Sequence, residues 1–216
     1  MSLIDLLQGE GEKNGRVEGV ALGLVTNNKD DQGMGRVKVR YPWREGRQES
    51  YWARIAMLDA GSNRGTFFLP EVGDEVLLAF DKGDIKHPYV LGVLWSGKDK
   101  PPATNNDGEN NTRKIRSRCG HEITLFDKTG SEKVEIKTHS GHTVILDDTK
   151  GSAKIEVKDS SGSNKIVIDS TRNGISVESG VQLELKSKTI NIEANTTMNI
   201  KAGGVLTIKG GTVMIN

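Results

Sequence analysis

Lys154-Ile155-Glu156-Val157-Lys158 and Thr189-Ile190-Asn191-Ile192-Glu193 are built alike, with two aliphatic residues two positions apart among polar ones. In an extended chain successive side chains point to opposite faces, so each segment has one aliphatic face and one polar face. The pattern occurs eleven times, as Ile123/Leu125, Val134/Ile136, Val144/Leu146, Ile155/Val157, Ile166/Ile168, Ile175/Val177, Leu183/Leu185, Ile190/Ile192, Met198/Ile200, Leu206/Ile208 and Val213/Ile215. First members are separated by 11, 10, 11, 11, 9, 8, 7, 8, 8 and 7 residues. A strand with two medium-sized aliphatics cannot bury its apolar face alone, whereas stacked repeats bury a continuous core together.

A single-chain β-helix wants larger core residues than these segments offer. The pattern suits a core shared among chains, and a three-chain β-prism is the natural closed solution because closure removes exposed strand edges. At the usual inter-strand spacing of ~4.8 Å, eleven strands would make a rod of about 50 Å. An ordinary sheet of hairpins would be marked by Asn-Gly or Asp-Gly turns. Asn173-Gly174 is the only such pair in the repeat, which argues against it. The tightening from about eleven to about eight residues predicts a wider base with protruding turns and a slimmer distal needle.

The remainder of the 216-residue chain differs in composition. All five prolines, all three Trp and all three Tyr lie at or before Pro102, and Phe126 is the only Phe, Tyr or Trp beyond Trp95. This predicts two domains with different cores. Residues 16–97 alternate with the strand period, broken by Gly, Asp and Asn turns. Strands are expected over residues 19–25, 35–41, 51–56, 74–80 and 88–95, enough for an OB-like antiparallel barrel. Residues 98–118, with Pro101-Pro102 and a polar run, read as a linker and collar. Residues 119–216 are the predicted trimeric β-helical spike. The predicted fold class is therefore all-β.

Several functions are excluded or disfavoured. Net charge is +1, so bulk attraction points to no polyanion or membrane surface. Residues 16–100 hold 13 basic and 12 acidic residues, and no nucleic-acid partner is expected although Arg36, Lys38, Arg40, Arg44 and Arg47 cluster near Tyr41 and Trp43. The single Cys119 excludes an intrachain disulfide. No apolar run approaches the ~18 residues of a membrane span. The start, Met1-Ser2-Leu3-Ile4-Asp5, lacks the marks of a cleaved secretion signal, so synthesis in the cytoplasm is expected. His139-Ser140-Gly141-His142 is the nearest approach to a metal pair, and Cys119 with His121 is too small a set for structural zinc. Ser and Asp residues sit in turns without the context of a triad. No catalytic residue, metal or cofactor is expected.

Several stretches resemble the central spike family of contractile injection machines, which includes phage baseplate spikes and the VgrG proteins of type VI secretion. They are Gly35-Arg36-Val37-Lys38-Val39-Arg40-Tyr41-Pro42-Trp43, Trp52-Ala53-Arg54, Gly65-Thr66-Phe67-Phe68-Leu69-Pro70-Glu71-Val72-Gly73-Asp74-Glu75-Val76, Gly83-Asp84 and Pro88-Tyr89-Val90-Leu91-Gly92. The onset of the repeat, Ser117-Arg118-Cys119-Gly120-His121-Glu122-Ile123, resembles it too. The resemblance implies an OB-like barrel followed by a trimeric β-helical needle. Large secretion members begin with hub barrels, while about fifteen residues precede the barrel here. A separate hub protein is therefore expected, anchored through Leu3, Ile4, Leu6 and Leu7 of segment 1–15. Residues 97–120 are too few for the lysozyme domain that some phage spikes carry.

The expected function is a non-enzymatic, homotrimeric central spike that pierces a target envelope, touches its membrane transiently and delivers cargo. The particle is a phage tail or a tail-like assembly. The trimer core is assigned to the aliphatic pairs from Ile123/Leu125 to Leu206/Ile208. A PAAR-type tip protein is expected on Val213, Met214, Ile215 and Asn216. The alternatives are a glycan-binding or glycan-degrading phage β-helix, disfavoured by the scarcity of aromatics in the repeat, and an OB-type nucleic-acid module on a stalk.

Overall fold

A computed structural model describes residues 16–46 and 48–215. The expected hub-contacting segment, Arg47 and Asn216 lie outside them. No described residue is in an α-helix, and no helix is long and apolar enough to cross a membrane. The chain divides into two compact units between Arg116 and Ser117.

The first unit holds β1 (Ala21–Asn27), β2 (Lys38–Arg40), β3 (Arg54–Ile55), β4 (Ala60–Gly61), β5 (Arg64–Gly65), β6 (Glu75–Phe80), β7 (Pro88–Leu94) and β8 (Thr112–Arg116). Five of these form a sheet in the order β2-β1-β6-β7-β3. An antiparallel bridge between Val37 and Ala53 joins the ends of its two outermost strands, so the sheet curls into an OB-like half-barrel. Each expected strand is present, in several cases shorter than its alternation. One pairing differs from an all-antiparallel barrel: β3 runs parallel to β7, with Arg54 opposite Tyr89. β8 lies inside the stretch expected to be linker.

The alternation of β6 explains the core. Val76, Leu78 and Phe80 are buried and Glu75, Leu77 and Ala79 are half-buried. The buried set joins Val25, Val37, Val39, Ala53 and Val90. Tyr41 lies among them, its ring 5.8 Å from that of Phe80, and its hydroxyl donates to the Ile85 carbonyl at 2.7 Å. Burial pushes its phenol up to about 12. Trp43 packs against the same core and donates its indole N–H to the Leu22 carbonyl at 3.1 Å.

The exposed hairpin of β4 and β5 has no periodic signal in the sequence, because neither face is buried. It is held by Asp59 and Arg64, whose side chains approach to 2.7 Å, and by Gly65. At φ +138°, a Cβ on Gly65 would fall 2.4 Å from the Asp59 carbonyl oxygen, so glycine is required.

The second unit contains β9 (Glu122–Phe126), β10 (Lys133–Lys137), β11 (Thr143–Asp147), β12 (Lys154–Lys158), β13 (Lys165–Asp169) and β14 (Gly174–Glu178). They pair antiparallel in chain order, each with the next. Hairpins are thus abundant despite the scarcity of Asn-Gly, and that part of the sequence argument is corrected. The turns close differently. Gly120, Gly141 and Gly162 donate their N–H to the carbonyls of Ser117, Thr138 and Asp159 three residues earlier, at 2.9, 3.0 and 3.1 Å. Each of these glycines is in the left-handed region, which suits a longer loop with a bulge.

Candidate assembly face

The hairpin registers bring the aliphatic pairs into two unbroken columns. Ile123, Ile136, Val144, Val157, Ile166 and Val177 stand opposite one another in succession. Leu125, Val134, Leu146, Ile155, Ile168 and Ile175 form the second column. A slip of one residue would send any strand's pair to the other face, so the registers agree at every step.

The exposure of the two faces is the reverse of a self-sufficient sheet. Ile123, Leu125, Ile155 and Ile166 are 41%, 40%, 40% and 47% exposed, whereas Glu156 and Thr124 on the other face are 7% and 2% exposed. The central column of that polar face runs Thr124, Glu135, Ile145, Glu156, Val167 and Ser176. Glu156 receives Lys154 at 2.8 Å and Lys158 at 2.7 Å from its own strand. Hydrogen bonds from these ammonium groups hold its carboxyl below the usual carboxylate range. Glu156 is thus paired within its own chain, whereas the aliphatic columns are 40% or more exposed at Ile123, Leu125, Ile155 and Ile166.

Beyond β14 the repeat continues without strands. Among described residues 179–215, none lies in a strand and all are exposed. The backbone bends at 180–181, 188, 195–196, 203–204 and 211–212, and each intervening segment carries one aliphatic pair. Leu183, Leu185, Ile190, Ile192, Met198, Ile200, Leu206 and Ile208 are therefore exposed rather than paired within the chain. Val213, Met214 and Ile215, expected to receive a tip protein, are exposed too.

The other residues singled out from sequence are accounted for by local contacts. The rings of His121 and His139 meet edge-on with centroids 5.4 Å apart. The His139 N–H points to His121 Nδ1 at 3.4 Å, and the Ser160 N–H to His142 Nδ1 at 3.2 Å. No group of three metal-ligating side chains occurs among the described residues. In the barrel, Arg36 makes a two-pronged pair with Asp30 at 2.8 Å, and Lys38 reaches Glu49 at 3.4 Å. Both cations also lie over the Trp52 ring, at 5.7 and 5.3 Å. The Asp30 carboxyl is held well below its usual range, chiefly by the hydrogen bonds from Arg36.

These features define an all-β protein with an OB-like barrel and a sheet unit whose aliphatic columns are uncovered. Residues 21–95 match the family of type VI secretion system/phage-baseplate injector OB domains. The type VI secretion system spike protein VgrG3 of Vibrio cholerae is 28% identical over 131 residues, covering 55% of this chain and 13% of that protein. Spike protein VgrG2a of Pseudomonas aeruginosa is 39% identical over 72 residues, covering 32% of this chain and 9% of that protein. VgrG1c of the same organism is 30% identical over 113 residues, covering 47% and 16%. The chain thus spans 9–16% of the length of these curated relatives. The barrel region thus matches the injector OB domain model, and the chain is similar to VgrG spike proteins over part of its length.

Proposed function

We propose that this chain is the non-enzymatic central spike of a contractile injection baseplate and works as a homotrimer. The observation that carries the reading is the uncovered pair of aliphatic columns on β9–β14. Contiguous exposed apolar surface of this regularity marks an interaction site. Copies of the same chain are the fitting partner, because three identical walls turned inward cover three identical faces and close the structure. The residues assigned to the trimer core are the aliphatic pairs from Ile123/Leu125 to Leu206/Ile208.

The mechanism is mechanical. A closed rod with an interlocked core transmits axial force when a surrounding sheath contracts, and the target envelope yields. The barrel side faces the hub of the baseplate. Val213, Met214, Ile215 and Asn216 seat a PAAR-type tip protein, and effector cargo travels with the spike. The complex is assembled from cytoplasmic chains into a phage tail or a tail-like particle. The names of the relatives support the spike reading, although one relative of Vibrio cholerae is named an actin cross-linking toxin.

Sedimentation equilibrium at micromolar concentration, with and without denaturant, tests the reading. Three times the chain mass is expected in buffer, and a monomer there would overturn it. Retention of the purified tip protein by the wild-type chain, and its loss with Ile215→Asp, tests the tip seat.

A further inference from the structure

The aliphatic pair is the same throughout the repeat, yet the backbone is satisfied in two different ways. From β9 to β14 every strand finds a partner within its own chain. The hairpin turns are also laced to one another. The Asp148 N–H reaches the Glu132 carbonyl at 2.9 Å, and the Ser170 N–H reaches that of Ala153 at 3.0 Å. On the other edge, the Gly180 N–H reaches Asn164 Oδ1 at 3.1 Å. That last bond ends the self-paired region. From Gln182 onward the described chain bends every seven or eight residues and lies outside any strand.

Extended backbone carries a donor and an acceptor at nearly every residue, and burial of the aliphatic pairs would strand these groups unless another strand took them. Among the described residues no strand pairs with them. The occupant consistent with the spacing is a second copy, whose own 182–215 segment has the same bends and the same aliphatic pairs.

We infer that the repeat assembles in two stages. β9–β14 forms first, as a sheet wall complete in each copy. Residues 182–215 order afterwards, on strands supplied by two other copies, so that the needle grows from the wall toward the C-terminal end. The inference rests on the homotrimer reading and goes beyond it, since a trimer could equally form in one concerted step.

Pulse-labelling hydrogen exchange during refolding of the full chain from denaturant tests it, with the final mass measured on the same samples. Amides of β10–β13 are expected to gain protection in a phase that is unchanged by dilution. Amides of 182–215 are expected to follow in a later phase that slows by about tenfold or more on tenfold dilution, as subunit assembly does. Leu206→Asp should remove the late protection and leave the early phase intact. A trimer in which both regions gain protection together, or in which Leu206→Asp abolishes the early phase, would overturn the two-stage order alone. A final product of monomer mass would overturn the trimer and this inference with it.

Discussion

β9–β14 and residues 182–215 carry one and the same sequence device, and they differ in what lies between the devices. In the first region, turns of four to six residues such as 127–132 and 170–173 let each strand fold back on the last. In the second, segments follow one another across a bend of one or two residues, and no strand pairing forms among described residues 179–215. The same aliphatic pair therefore becomes part of a wall in one place and of an unpaired coil in the other. Strand composition alone therefore does not tell a segment that pairs within the chain from one that does not, and the difference in pairing coincides with the difference in connection length.

Charges in the columns break this comparison most severely. Ile155→Asp or Ile166→Asp would bring three carboxylates together in the proposed shared core, each costing several kcal/mol to desolvate. Complete loss of the trimer by sedimentation is expected, and an unchanged mass would show that this face is not the inner one. Far-UV circular dichroism of either variant should still report the wall, because its ladder is intrachain.

The turns come next. Gly141 is at φ +98° and its added Cβ would sit 3.4 Å from Cβ of Ser160. Gly141→Val should cost the wall about 1–3 kcal/mol, read as a lower unfolding midpoint. The corresponding change at Gly203, which has open space around it and no positive φ, should move the midpoint far less.

The barrel supplies a control independent of the repeat. Tyr41 has a folded-state pKa of about 12, above the ordinary phenol value of 10.0. The folded barrel holds the proton more tightly than the unfolded chain. The stabilisation is complete below pH 10 and is lost as pH rises toward 12, on the order of 2 kcal/mol in total. Denaturant melts between pH 9 and 12 should show this decline in the wild type and its absence in Tyr41→Phe, while the wall is unaffected by the substitution.

The smallest effect is expected on the polar face. Glu156 titrates below its ordinary value, so its contribution is present above the unfolded carboxylate pKa and fades as pH falls through the folded one. Glu156→Gln should cost about 1 kcal/mol or less, because both lysine partners are partly hydrated. The loss should shrink in high salt, and a salt-independent loss would assign the burial of Glu156 to packing instead.

The strands of the barrel were legible because one face of each is buried and the other wet, as in Val76, Leu78 and Phe80. The β4–β5 hairpin was illegible because both of its faces are exposed, and the parallel β3–β7 pair because two residues carry no directional signal. The left-handed turn residues Gly120, Gly130, Gly141, Gly151, Gly162 and Asn173 were a readable signal that the search for Asn-Gly passed over.

The amino-acid sequence by itself determined the all-β class, the barrel, and which aliphatic residues share a face, because alternation with period two is a property of the extended chain. It did not determine which strands find partners within the chain. That was decided in three dimensions, where the donors and acceptors of each strand must be matched by those of a neighbour in register.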